Sequence, residues 1–165
     1  PPLPQAAAWL QANGLSSPQA LLAACGGSPL EALAWAADGW DAAQLDALPR
    51  RIAQGDASAL AGQSLPRAID LLLKLAHDAM AHAVGAPARF FPTASWPAAA
   101  ELAALTEWQR ALLRAARHDE HPWNAPLLLD ALVTQATACW PARGAAPGQG
   151  GRPAGRGGAA LHSSR

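Results

Sequence analysis

The densest chemistry in the chain is His118-Asp119-Glu120-His121. Two imidazoles and two carboxylates can ligate a divalent cation or pass protons near neutral pH. Their arrangement argues the other way. The four groups are contiguous rather than one helical turn apart, they fall between two helical patterns just before Pro122, and no further ligand is evident from spacing. A hydrated loop between helices accounts for them with fewer assumptions than a metal-dependent hydrolase built on His118, Asp119 and His121. His77 beside Asp78, with His82 farther along, lies in a long helical pattern, where a half-exposed imidazole more often serves structure than catalysis.

Two other stretches have the outline of a site. In Ala24 to Leu33, "ACGGSPLEAL", two glycines, a hydroxyl and a proline run into a helical pattern. A helix start behind a glycine turn presents unpaired N–H groups and the positive end of the helix dipole, which suits phosphate. No phosphate-binding lysine follows, since the single lysine, Lys74, stands in mid-helix without a glycine loop before it. Nor is there a Gly-x-Ser-x-Gly or a Cys–His pair that spacing supports, so no catalytic residue, cofactor or metal is assigned. Arg110, Arg114 and Arg117 recur at i, i+4 and i+7. That stripe is either a solvated helix end, where cations favour the dipole, or a contact face for an acidic partner or a nucleic-acid backbone.

The elements that would carry these residues are all helices. Val, Ile, Thr and aromatic residues are too sparse, and alternation too rare, for strands. The spacing predicts short helices from Gln5 to Ala12, from Pro18, and from Pro29. In the third, Leu30, Leu33 and Ala34 form one apolar stripe, and Trp9 and Trp35 are expected to anchor the group. A helix from Asp41 carries Leu45, Leu48 and Ile52 inward, with a kink expected at Pro49, and a short turn follows over 57–61. Ser64-Leu65-Pro66 opens a long helix to about Val84 with two apolar rows, and Phe90-Phe91 in the loop after it return to the core. Ser95 with Pro97 is expected to start another long helix with Leu102, Leu105, Trp108 and Leu112 inside. Asn124 with Pro126 starts the last, with Leu128, Leu132 and Ala136 beside Leu129, Val133 and Trp140. The chain reads as an all-α helical bundle.

Composition sets the outer bounds. The chain has 165 residues, and Cys25 and Cys139 match no metal-ligand spacing. Two lone thiols suit a reducing compartment, and a cytoplasmic setting is expected. No apolar run is long enough for a membrane span, and Pro-Pro-Leu-Pro lacks the marks of a signal peptide, so the sequence reads as a piece of a longer one. Residues 1–140 hold all twelve acidic residues against eight Lys/Arg, a balance of −4. That sign disfavours a dedicated nucleic-acid-binding domain. Residues 141–165 hold Arg143, Arg152, Arg156 and Arg165, no acid and half of the fourteen glycines. Such a composition buries no core and is expected to be a disordered tail.

Three stretches together resemble one family. "GGSPLEALAW" is similar to the lid helix of AAA+ clamp-loader subunits, where a Gly-Ser-x-Arg-x-Ala-Leu pattern supplies a nucleotide-sensing arginine. "LPRAIDLLLKLAHDAMAHAVGAPARFFP" and "HPWNAPLLLDALVTQA" are similar to the collar domain of the delta-prime subunits of bacterial DNA polymerase III. The resemblance spans roughly residues 6–140. It implies the end of a lid domain over 1–38, a helical collar and oligomerisation domain over 39–140, and the tail over 141–165. It puts Leu30 where the sensor arginine would stand, and leucine neither reaches a phosphate nor donates a hydrogen bond. The implied role is a structural, non-ATPase subunit of the polymerase holoenzyme. Its collar would join those of the gamma/tau and delta subunits in the pentamer that loads the sliding clamp on primed DNA. Contact with DNA would be indirect or weak, through the complex, with no membrane role. The plainer alternative is an all-helical adaptor for an unrelated partner.

Overall fold

The computed structural model describes residues 2–98, 100–117 and 124–141. Seven α-helices and two 3-10 turns make up its regular structure, and no strand occurs among the described residues. The helices are α1 (Leu3–Ala12), α2 (Pro18–Ala24), α3 (Pro29–Ala37), α4 (Ala42–Ala53), α5 (Leu65–Ala83), α6 (Leu102–Arg117) and α7 (Ala125–Ala136), with 3-10 turns at Ala57–Leu60 and Thr137–Cys139.

Local chemistry explains most of the starts. Proline, whose missing N–H costs nothing in the first turn, opens α1, α2, α3, α5 and α7. Asp41 and Gln44 form a reciprocal capping box on α4, with Gln44 N donating to Asp41 Oδ1 (2.8 Å) and Asp41 N to Gln44 Oε1 (3.0 Å). Asn124 Oδ1 accepts from Leu127 N at 3.0 Å and starts α7. Gly14 and Gly39, at φ of +94° and +90°, end α1 and α3 in the left-handed region that glycine enters without a side-chain clash.

The core is contiguous. Leu45, Leu48 and Ile52 on α4 face it as the spacing predicts, and Pro49 sits inside an unbroken α4. Both expected rows of α5 contribute, joined by Leu71, and α5 packs most extensively against α6. Trp108 is fully buried, donates from Nε1 to Leu132 O at 2.9 Å and meets Trp140 edge-on at 6.3 Å. The first three helices join the same core: α2 packs on α4, the Trp35 and Trp40 rings lie 5.8 Å apart, and Arg67 reaches Asp38 at 2.6 Å.

Three expectations are corrected. The inner face of α3 is Ala32 and Trp35, not Leu30, Leu33 and Ala34. Leu30 is 71% exposed, Leu33 is half-buried and Ala34 is exposed. Burying the indole removes more apolar area than burying a leucine, so Trp35 sets the rotation of the helix. Trp9 is 42% exposed and anchors nothing centrally. Finally, α6 begins at Leu102 rather than at Ser95, and Leu102 itself is 48% exposed. Non-local bonds instead hold the segment before α6 against α4 and the end of the chain's last helix. Ser95 N donates to Asp46 O, Thr93 Oγ1 to Asp46 Oδ1, and Glu101 N to Cys139 O.

Candidate partner-binding surfaces

The glycine turn before α3 has been filled by the chain itself. Ser28 Oγ accepts from Glu31 N, using one of the donors that an anion would take, and a Cβ on Gly27 would lie 3.4 Å from Leu3 Cδ2. Leu30, the second residue of α3, stands outward. Instead of a phosphate cradle the region offers a shallow groove of 340 Å³ between α1 and α3, lined by Gln5, Ala6, Trp9, Pro29 and Leu30. The site has the backbone shape of an anion pocket with an apolar lining, and it supplies no charge to hold one.

The three arginines do share a helix face. Arg110, Arg114 and Arg117 are all exposed on α6, with Arg114 and Arg117 in its last turn. Arg110 pairs with Glu107, and both side chains are 62% exposed, so solvent screens the pair to a few tenths of a kcal/mol. Leu113, at 41% exposure, interrupts the face. Such a surface suits a partner that is acidic and partly apolar better than a continuous phosphate backbone.

His118, Asp119, Glu120 and His121, like nearly all of 141–165, lie outside the described residues. Among the described residues no group of three His, Cys, Asp or Glu side chains comes together as a metal would need. No single described helix is long and apolar enough to cross a membrane. The two cysteines are apart and buried, and burial raises their thiols to about 12 for Cys25 and about 11 for Cys139.

Two arrangements escape sequence reasoning. Asp78 is the one buried charged residue among the described residues. Its carboxylate accepts from the backbone N–H groups of Arg89 (3.0 Å), Phe90 (2.7 Å) and Phe91 (2.8 Å) and bonds His77 Nδ1 at 2.9 Å. It thereby clasps the loop after α5 and seats Phe91, which is 2% exposed, in the core. Lys74, paired to Asp70 at 2.7 Å, lies 5.7 Å from the ring centroids of both Trp35 and Phe90, and so ties that clasp to α3. A polar residue next to a histidine gives no sign in sequence that it will meet three amides more than ten positions away. The exposed apolar patch did leave a trace, since Glu31 is the single charged residue in 2–37.

No protein-family model, curated protein or solved structure matches this chain.

Proposed function

We propose that this chain is an assembly module of a bacterial clamp loader, carrying the end of the lid and the collar of a delta-prime-like subunit of DNA polymerase III. The observation that carries the reading is Leu30. It occupies the position that resembles the family's sensor arginine, and its 71% exposed apolar side chain borders a groove without charge. A module built this way keeps the outline of a nucleotide-responsive lid and has no means of responding. The all-helical architecture supports the reading. So do the two collar-like stretches, one supplying α5 with its clasped loop and the other the cap and body of α7. On this reading the protein works in the cytoplasm, binds the collars of gamma/tau and delta through α4 to α7, and catalyses nothing.

The test is light scattering on a size-exclusion column, with the chain alone and then mixed with gamma/tau and delta collar domains in the absence of ATP. A mixed species of defined mass is the expected result. A chain that ignores both collars returns the molecule to the adaptor reading.

A further inference from the structure

Most described cations have partners within the chain. Arg51, Arg67 and Lys74 meet the carboxylates of Asp56, Asp38 and Asp70, and Arg89 lies over the Phe90 ring. The outer side of α6 differs. Arg110, Arg114 and Arg117 recur there within two turns, all exposed, and Glu107 is the one carboxylate that pairs with any of them among the described residues. Like charges at i, i+3 and i, i+4 destabilise a helix. The helix dipole offsets this in the last turn, which holds Arg114 and Arg117 but not Arg110. The end of α4 shows the ordinary arrangement, with Arg50 and Arg51 in its last turn and Arg51 turned onto Asp56 and Ser58. A third arginine one turn earlier, with the half-exposed Leu113 set among the three, is more than a helix end requires.

From this excess we propose that the outer face of α6 over residues 110–117 is a docking surface for an acidic amphipathic helix of a partner protein. Charge selects the class of occupant. Neighbouring guanidinium groups lose their mutual repulsion only against anions, and each offers a planar fork that a carboxylate or a phosphate fills with two bonds. Leu113 decides between those two. It stands three residues after Arg110 and four before Arg117, so whatever pairs with the arginines also meets an apolar side chain. A helix with carboxylates at i, i+4 and i+7 and a leucine at i+3 answers both features in one register. A phosphate backbone answers only the charge. Single strands add stacking on exposed aromatic rings, and the one aromatic residue of α6, Trp108, is fully buried. This face is tested with a peptide and the collar reading with collar domains, so either can fail alone.

The experiment is fluorescence anisotropy of a labelled helical peptide, with glutamates at i, i+4 and i+7 and a leucine at i+3, titrated with the full chain at low salt. Binding is expected, and it is expected to weaken as salt rises, because exposed pairs are screened. Arg114→Glu combined with Arg117→Glu is expected to weaken it at least about tenfold. Arg114→Gln with Arg117→Gln is the milder pair, and both are expected to leave the circular dichroism spectrum unaltered. Leu113→Asn is expected to weaken binding of this peptide and not of one with serine in place of its leucine. Arg50→Glu, in the last turn of α4, is expected to bind as the parent does. Four outcomes would overturn the proposal: no binding at low salt, binding indifferent to both arginine pairs, oligothymidylate bound more tightly than the peptide, or a peptide bound only after Asp119→Asn with Glu120→Gln, which would mean that the chain neutralises the stripe itself.

Discussion

The α1–α3 unit and the α4–α7 bundle solve the same packing problem with different residues. Around Cys25 the first unit buries Leu10, Leu21, Leu22 and Trp35, with Ala6, Ala20, Ala24 and Ala32 between them. The bundle buries Leu45, Leu48, Ile52, Leu71, Leu72, Leu75, Leu105, Trp108 and Leu112. Each large side chain contributes about 1.5–3 kcal/mol when fully buried, several times an alanine's share. The bundle therefore holds most of the stability and can carry a charged surface. The first unit buries fewer large side chains, and both regions leave apolar groups outside, Leu3, Trp9 and Leu30 in the one and Val84, Leu102, Leu113 and Leu127 in the other.

The widest effect that tests this contrast is thiol reactivity. Burial lifts Cys25 to about 12 from 9.0, which at pH 8 leaves the folded protein with about a thousandfold less thiolate than the unfolded chain. Both cysteines should resist a disulfide reagent under native conditions. In urea below the main transition, Cys25 is expected to label before Cys139. Simultaneous labelling would show that the two regions open as one and would dissolve the comparison. The sign of the pH dependence follows. An unfolded thiol ionises near 9 and the folded one near 12, so the unfolded state binds fewer protons between those values and stability falls as pH rises through that window.

Next in size is Trp108→Ala. It removes a fully buried ring and its bond to Leu132 O, and should cost about 4 kcal/mol in chemical denaturation. Asp78→Ala leaves three amide donors without their shared acceptor and should cost about 3 kcal/mol. Phe91 should become accessible to solvent NMR probes in the same variant. The smallest change belongs to the first unit. Leu30→Ser is expected to shift monomer stability by less than about 0.5 kcal/mol, because the side chain is already in water. A larger loss would mean that Leu30 is packed.

Helix starts were legible wherever a cap and a proline sat together, as at Ser28-Pro29 and Asn124-Pro126, because the bonds involved are local. The same signal misled at Ser95, where the backbone donates to Asp46 instead. The rotation of α3 was misread because a stripe of leucines and alanine looks as apolar as a stripe led by tryptophan, and only the volume available inside decides between them. The lack of phosphate chemistry at Leu30 was readable from residue type alone. The groove beside it was not, since it depends on how α1 crosses α3.

The clasp at Asp78 has a consequence for how the chain can vary. It grips Arg89, Phe90 and Phe91 through their main-chain amides, so the grip is blind to which side chains stand there. Surface identity at 89 is free to drift, or to be rewritten by an engineer as a grafting point, while the loop keeps its course; Phe90 is held besides by its packing against the core and by Lys74. Proline is refused at all three positions, because it brings no hydrogen to the bond.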